Sequence, residues 1–279
     1  MKKTHLYFCI FTFTQFISFA PKTFSQEQEI LTVVPVLETF LLTSAKENSV
    51  WKNQAAEYEQ IRDFRNSDPL INCQDIYLKT AGAITSGKWD VIFPEHKVHL
   101  TPSFLKTLKE KSKIIEKQSQ LAKEYFKRLR PYKDQNTANG TAYAPCSDSV
   151  FTSGLLNSSK FYSFPSTHSV QARVAALYLA FQISSTEVLK SPETFLIQNS
   201  DILKQGSLMA LHRVLAGHHY PTDILAGEAV ADSLFCKTFK EDLPKKLVLD
   251  KCEEILFYVH QSGGLKAIGP RANWAITFY

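Results

Sequence analysis

PSTHSVQARVAALYLAF, residues 165–181, combines a helix start with a long apolar run. From Ser169 to Phe181 the sequence is rich in alanine and leucine, which is typical of a largely buried helix. Upstream, Thr101-Pro102 predicts another helix start, because proline at the first helical position loses no hydrogen bond.

Helical patterns dominate the rest of the chain. An apolar stripe at i, i+3 and i+4 spacing runs through Leu121, Ala122, Tyr125, Phe126 and Leu129. Further helices are predicted over Trp51–Phe64, Leu70–Ala83, Pro221–Cys236 and Lys245–His260. The only short strand pattern is Val91-Ile92-Phe93, so we predict one all-α domain.

The first 25 residues have the features of a signal peptide. Lys2 and Lys3 precede an apolar run, and Thr23-Phe24-Ser25 predicts cleavage after Ser25, with Ala20 as a second candidate. An uncleaved membrane anchor is the alternative, but the run is short for a membrane span. We therefore expect a periplasmic or secreted protein, with residues 26–279 forming the single domain and no stable membrane span after signal removal.

The charge of the chain argues against nucleic-acid binding. Removal of residues 1–25 takes away three lysines and no acids, so the formal charge falls from +5 to +2, with 29 basic and 27 acidic residues. Such a small and evenly spread excess does not indicate a nucleic-acid partner.

Four cysteines remain after signal removal, which is an even number in an exported chain. This favours two disulfides among three pairings, with Cys236–Cys252 as the local pairing and Cys73–Cys146 as the remainder. Four free thiols are the alternative.

Three short segments carry residues suited to phosphate chemistry. In the first, Lys123 and Arg130 are seven residues apart, so a continuous helix would place both on nearly the same side until Pro131 ends it. Taken alone, these two cations fit a solvated surface in a lysine-rich stretch.

The second segment, Pro165-Ser166-Thr167-His168, lies just before the apolar helix. Backbone amides at a helix start have no partner within the helix and favour anions, so a phosphate there would meet these amides and the Ser166 hydroxyl. His168 would be within reach of the same anion. An ordinary serine cap with an incidental histidine is the alternative.

The third segment contains Arg213, His219 and Asp223. Pro221 interrupts any helix through His219, which predicts His219 on a turn and Asp223 in the first turn of the next helix. The carboxylate could then accept from one imidazole nitrogen and leave the other facing a substrate. His218, His219 and Asp223 could instead be metal ligands, but no further pattern completes a ligand shell.

In order, Lys-x6-Arg-Pro, Pro-Ser-x-His and Arg-x5-His-x3-Asp resemble the signature of the phosphatidic acid phosphatase type 2 superfamily, which includes the vanadium haloperoxidases. The layout is most similar to bacterial class A non-specific acid phosphatases. The resemblance implies a helical bundle like the acid phosphatase and haloperoxidase core. It also implies a metal-independent acid phosphatase that hydrolyses small-molecule phosphomonoesters through a phosphohistidine, without a cofactor.

The resemblance assigns roles position by position. The phosphate-binding residues would be Lys123, Arg130, Ser166, Thr167 through its amide, and Arg213. His219 would be the nucleophile, Asp223 would orient it, and His168 would protonate the leaving oxygen and later activate water. Two positions depart from the family pattern: Thr167 stands at the usual glycine, and His212 stands at the usual serine.

Other activities remain open at this stage. The alternatives are a lipid phosphatase or pyrophosphatase of the same superfamily, a vanadium-dependent haloperoxidase, and a phosphate-binding protein without activity. The sequence does not determine the oligomeric state, and a homo-oligomer is among the states that it allows.

Overall fold

A computed structural model describes residues 33–38, 54–67, 81–133, 162–244 and 247–262. The predicted signal peptide, Cys73, Cys146 and residues 134–161 lie outside these ranges, as does most of the predicted helix over Leu70–Ala83. The described residues form helices and turns with no strand, so the all-α prediction is confirmed.

The α-helices within these ranges are α1 (Val34–Glu38), α2 (Gln54–Ser67), α3 (Ala81–Ser86), α4 (Trp89–Ile92), α5 (Pro102–Phe126), α6 (Thr167–Ile183), α7 (Pro192–Gln198), α8 (Ser200–Leu215), α9 (Pro221–Thr238) and α10 (Leu249–Ser262). Short 3₁₀ helices cover Pro94–His99, Pro131–Lys133 and Val188–Lys190.

Helix α6 lies at the centre of the bundle and packs along α8, α9 and α5. Its residues from Val170 to Phe181 are buried almost without exception, as its continuous apolar sequence predicts. Two glycines allow the close packing: a Cβ at Gly206 of α8 would lie 2.8 Å from Ala176 Cβ, and one at Gly227 of α9 would lie 2.6 Å from the Ser166 carbonyl oxygen. The start of α6 and the start of α9 are therefore held close together.

Helix α5 begins as the sequence predicts. Thr101 is its N-cap, with the Thr101 hydroxyl accepting from the Phe104 amide at 3.2 Å, and Pro102 is the first helical residue. An apolar face that includes Leu108, Ile115 and Ala122 is buried against the core. The helix lies beside the start of α6 at its C-terminal end.

Two local predictions are wrong. Val91-Ile92-Phe93 is not a strand, because Trp89–Ile92 form a helical turn that buries Ile92 and Phe93; three apolar residues in a row do not separate the two structures. Helix α5 ends at Phe126, where Lys127 adopts a left-handed conformation with φ 51°. Arg130 therefore does not share a helix with Lys123, and Leu129 is exposed instead of continuing the apolar stripe.

A disulfide joins α9 to α10 through Cys236 and Cys252, with 5.9 Å between their Cα atoms. This is the local pairing that the cysteine spacing favours. Among the described residues, no helix combines the length and the apolarity needed to cross a bilayer.

Candidate active site

Lys123 lies on the last turn of α5 and is buried. Its Nζ atom donates to the carbonyl oxygens of Tyr162 and Ser163, each at 3.0 Å, and to that of Pro165. Because an ammonium group has three protons, these carbonyls take all of them. Burial and the neighbouring Arg130 lower the pKa of Lys123 well below its ordinary value. Lys123 thus fixes the segment that leads into Ser166 and adds positive charge beside it.

The left-handed turn after α5 brings Arg130 to the site by a different route from the predicted one. Its Nη1 atom donates to the His218 carbonyl at 2.8 Å and lies 3.2 Å from His219 Nε2. The same turn is joined to the segment before α6, because the Ser163 amide donates to the Arg128 carbonyl at 2.8 Å. Lys123 and Arg130 meet at one site although they lie on different elements.

Ser166 is the N-cap of α6 and is fully buried. Its hydroxyl accepts from the Ser169 amide at 3.3 Å, so the residue serves as a cap as well as lying at the predicted phosphate site. The Ser166 amide donates to the Asp223 carbonyl at 2.8 Å, and the Ser169 hydroxyl donates to the Ile224 carbonyl at 2.7 Å. These two bonds join the second motif directly to the third.

Thr167, which replaces the usual glycine, turns its side chain toward α5. Its hydroxyl lies 3.0 Å from the Ser119 hydroxyl and accepts from Gln120 Nε2 at 3.1 Å. The added atoms therefore have polar partners on a neighbouring helix. His212, the second departure, lies on α8 beside the buried Arg213, and it is not among the described residues that line the pocket below.

His168, in the first turn of α6, is partly exposed to the pocket. Burial lowers its pKa well below the ordinary value of 6.5, and Arg213, His219, Arg130 and Lys123 lower it further by charge repulsion. His168 is therefore neutral near pH 7. His168, Lys123 and Arg130 line the same pocket, and the charge of the buried Arg213 also acts on this imidazole.

His219 and Asp223 adopt the geometry that the sequence predicts. His219 lies on the turn between α8 and α9, and its Nδ1 atom is 3.2 Å from Asp223 Oδ2. The Tyr220 amide donates to the same oxygen at 2.9 Å, so Asp223 also caps α9. A carboxylate accepts and a guanidinium only donates, so Nδ1 carries the proton and Nε2 accepts from Arg130. Burial and the three cations lower the pKa of His219, which keeps this imidazole neutral.

A buried network behind His219 was not predicted. Arg128 Nη1 donates to Asp223 Oδ1 at 2.8 Å, and Nη2 donates to Glu57 Oε2 at 3.0 Å. Glu57 also accepts from the Thr222 amide at 2.8 Å and from its hydroxyl at 3.0 Å. The Arg128 guanidinium lies 3.9 Å over the Tyr220 ring, a cation–π contact. Burial raises the pKa of Glu57 to about 7, although Arg128 and the Thr222 amide act against the rise.

A cavity of about 500 Å³ opens onto these groups. His168, His219, Lys123 and Arg130 line one end, and one face of α5 forms a wall that continues away from them. That face consists of Leu105, Leu108, Lys109, Ser112, Lys113, Glu116 and Gln120. Ile84 and Trp89 join Leu105 and Leu108 at the far end. The pocket thus has a cationic end with two histidines, a polar middle and an apolar end.

Residues 112–239 match the PAP2 superfamily. The match includes all eight site residues that the sequence predicts, and it supports both the superfamily and a phosphoester hydrolase as the class of activity. A search of curated proteins found no match to the chain.

Within the PAP2 match, Arg128 could not be recognised from sequence, because a buried arginine between Lys127 and Arg130 has the same local pattern as a solvated basic stretch. Glu57 lies outside the matched residues and is 71 positions away from Arg128. No local signal links the two, since only the packing of α2 against α8 and α9 brings Glu57 to Thr222.

Proposed function

We propose that this protein is an exported, metal-independent phosphomonoesterase that forms a phosphohistidine on His219. One observation carries the proposal: the buried His219 imidazole has Nδ1 bound to Asp223 and Nε2 directed toward Arg130 at the cationic end of the pocket. A neutral imidazole fixed in this tautomer has its lone pair on the nitrogen that would attack phosphorus.

Binding of the phosphate begins the reaction. Arg130 and Arg213 bind the phosphoryl oxygens, the Ser166 hydroxyl and the Thr167 amide add donors, and Lys123 contributes its charge. Arg130 turns its N–H from His219 Nε2 to the phosphate, which frees the lone pair of Nε2. The negative charge of the phosphate also offsets the cations around His168 and favours protonation of its imidazole.

Phosphoryl transfer follows in two steps. His219 Nε2 forms a bond to phosphorus as the bond to the leaving oxygen breaks, and protonated His168 gives its proton to that oxygen. A water molecule then attacks the phosphohistidine while His168 takes up its proton, and phosphate leaves with His219 restored. Cations in a water-poor site stabilise the charge on the transferring group, the role that a metal ion has in other phosphatases.

The shape of the pocket favours a second candidate within the same chemistry. Leu105 and Lys123 are eighteen residues apart on one face of α5, which corresponds to about 27 Å along the helix. A phosphate bound beside Lys123 would leave room for a leaving group that passes the polar middle and reaches Trp89 and Leu105. A phosphomonoester with a long, apolar leaving group, such as a lipid phosphate, fits this arrangement better than a compact polar one.

The finer assignment is a class A acid phosphatase of the periplasm or cell exterior. Its support is the order of the three motifs, the signal-peptide pattern of residues 1–25 and the helical layout.

A substrate panel with chelator separates the activities. We expect hydrolysis of 4-nitrophenyl phosphate that survives extensive EDTA treatment and is inhibited by vanadate. Dodecyl phosphate should be a better substrate than glycerol phosphate, and Leu105→Ala should reduce this preference without changing turnover of glycerol phosphate. Activity that EDTA abolishes and zinc or magnesium restores would contradict the proposal. Bromide oxidation with vanadate and peroxide, without phosphatase activity, would favour the haloperoxidase alternative.

A further inference from the structure

The Arg128 guanidinium is shared between two buried carboxylates. Asp223 binds Nη1 at 2.8 Å and Glu57 binds Nη2 at 3.0 Å, with all three side chains at most 1 % exposed. Asp223 meets Arg128 with Oδ1 and His219 with Oδ2. A continuous chain of hydrogen bonds therefore runs from Glu57 through Arg128 and Asp223 to the neutral His219 imidazole.

Thr222 links Glu57 and Arg128 a second time. Its hydroxyl donates to Glu57 Oε2 and accepts from Arg128 Nη1, and its amide donates to Glu57 Oε1. Thr222 and Asp223 are adjacent in the first turn of α9. Glu57 thus fixes the turn that carries Asp223 as well as the arginine that binds it.

The charges of the three groups set what Asp223 can do for His219. With Arg128 alone beside it, the Asp223 carboxylate would share its negative charge between a full cation and the imidazole. Above the Glu57 pKa of about 7, the ionised Glu57 carboxylate on the other side of Arg128 offsets that cation, because buried charges act on each other strongly in a medium of low dielectric. The Asp223 carboxylate then interacts more strongly with the Nδ1–H group of His219.

We propose that Glu57 and Arg128 are positioning residues for phosphoryl transfer. They orient Asp223 and keep its negative charge available to interact with His219. The inference rests on the proposed function, since it assigns these residues to the same nucleophile. A purely structural link between α2 and α9 would not need the arginine to bind the carboxylate that orients His219. The two readings differ in what they predict for a double-mutant cycle.

The test compares Glu57→Gln, Asp223→Asn and the double variant, with Glu59→Gln as the matched control. Glu59 lies two residues away on α2 and has an exposed side chain. We expect Glu57→Gln to lower kcat for 4-nitrophenyl phosphate roughly 10- to 100-fold, with KM and the Kd for inorganic phosphate changed less than about threefold, the pattern of an interaction that acts on the transition state. Glu59→Gln should behave as wild type.

The double variant tests whether Glu57 acts through Asp223. Once Asp223→Asn has removed the charge, Glu57→Gln should cause no further loss of kcat. The inference would be overturned if the losses of kcat in the two single variants multiplied in the double variant. It would also be overturned if Glu57→Gln lowered phosphate affinity as much as kcat, or left kcat unchanged. If Glu57→Gln fails to fold, Thr222→Val removes only the bridging hydroxyl, and we expect it to lower kcat at unchanged phosphate Kd.

An NMR measurement that does not depend on catalytic turnover separates this inference from the proposed function. The ¹⁵N chemical shifts of the His219 imidazole report which nitrogen carries the proton, and Glu57→Gln should shift the wild-type Nδ1–H form toward a mixture of tautomers. Absence of phosphatase activity in wild type would reject the proposed function alone. An unchanged His219 spectrum in folded Glu57→Gln would reject the positioning role alone.

Discussion

His219 Nδ1 lies 3.2 Å from Asp223 Oδ2, and the peptide amide of Tyr220 donates to the same carboxylate oxygen at 2.9 Å. The carboxylate that orients the imidazole therefore also caps the helix that carries it. Formation of α9 and orientation of His219 depend on one side chain.

Asp223→Asn should separate these two tasks. An amide has one acceptor oxygen, whereas Asp223 accepts from Arg128 on Oδ1 and from His219 and Tyr220 on Oδ2. The neutral side chain no longer enforces the Nδ1–H tautomer, and we expect kcat to fall roughly 10²- to 10⁴-fold, as for aspartates that orient histidines in hydrolases. Steady-state kinetics and far-ultraviolet circular dichroism check this together. Wild-type kcat in a folded Asp223→Asn protein would contradict the role.

His168→Ala should affect poor leaving groups far more than good ones. A phenolate leaves without a proton, whereas an alkoxide needs one, so the loss with alkyl phosphates should be roughly 10²- to 10⁴-fold. With 4-nitrophenyl phosphate, the burst phase reports the first step alone and should be much less affected. Equal losses for both substrates in that step would mean that His168 binds phosphate without donating a proton.

Phosphate binding should be coupled to proton uptake. The pKa of His168 is lowered by burial and by Arg213, and a bound anion offsets that cation and raises the pKa again. Calorimetry below pH 7, in two buffers of different ionisation enthalpy, should show protons taken up on binding, and His168→Ala should reduce the uptake. Binding without proton exchange in wild type would contradict the electrostatic account.

The same lowered pKa has a consequence for stability. Between the unfolded value near 6.5 and the lower folded value, the unfolded chain binds a proton that folded His168 does not. This imidazole therefore lowers the free energy of unfolding as the pH falls below about 6.5. Relative to wild type, His168→Ala should lose less stability over that range in thermal melts.

Thr167→Gly should cost stability and little activity. The Thr167 hydroxyl bonds to Ser119 and Gln120 on α5, so replacement by glycine, the usual residue in the motif that this segment resembles, removes both contacts. The expected loss is about 1 kcal/mol in the free energy of unfolding, because a hydrogen bond that is partly open to water contributes little net stability. We expect kcat to change less than about threefold. A large gain in kcat would mean that the threonine obstructs the phosphate.

Features set by local sequence were predicted well. The buried helix from Ser169 to Phe181, the cap at Thr101 and the turn between His219 and Asp223 follow from composition, capping and proline placement, which act over a few residues. The end of α5 was missed because a lysine, and not a glycine, adopts the left-handed conformation at position 127. The Glu57–Arg128 contact was missed because it depends on tertiary packing between segments 71 positions apart.

In the proposed reaction, His219 receives the phosphoryl group. Rapid mixing with ³²P-labelled 4-nitrophenyl phosphate, quenching at alkaline pH where phosphohistidine survives, and peptide mass spectrometry test it directly. We expect labelled phosphate on His219 in wild type, and none in His219→Ala. Label on a serine or on His168, or steady turnover by His219→Ala, would contradict it.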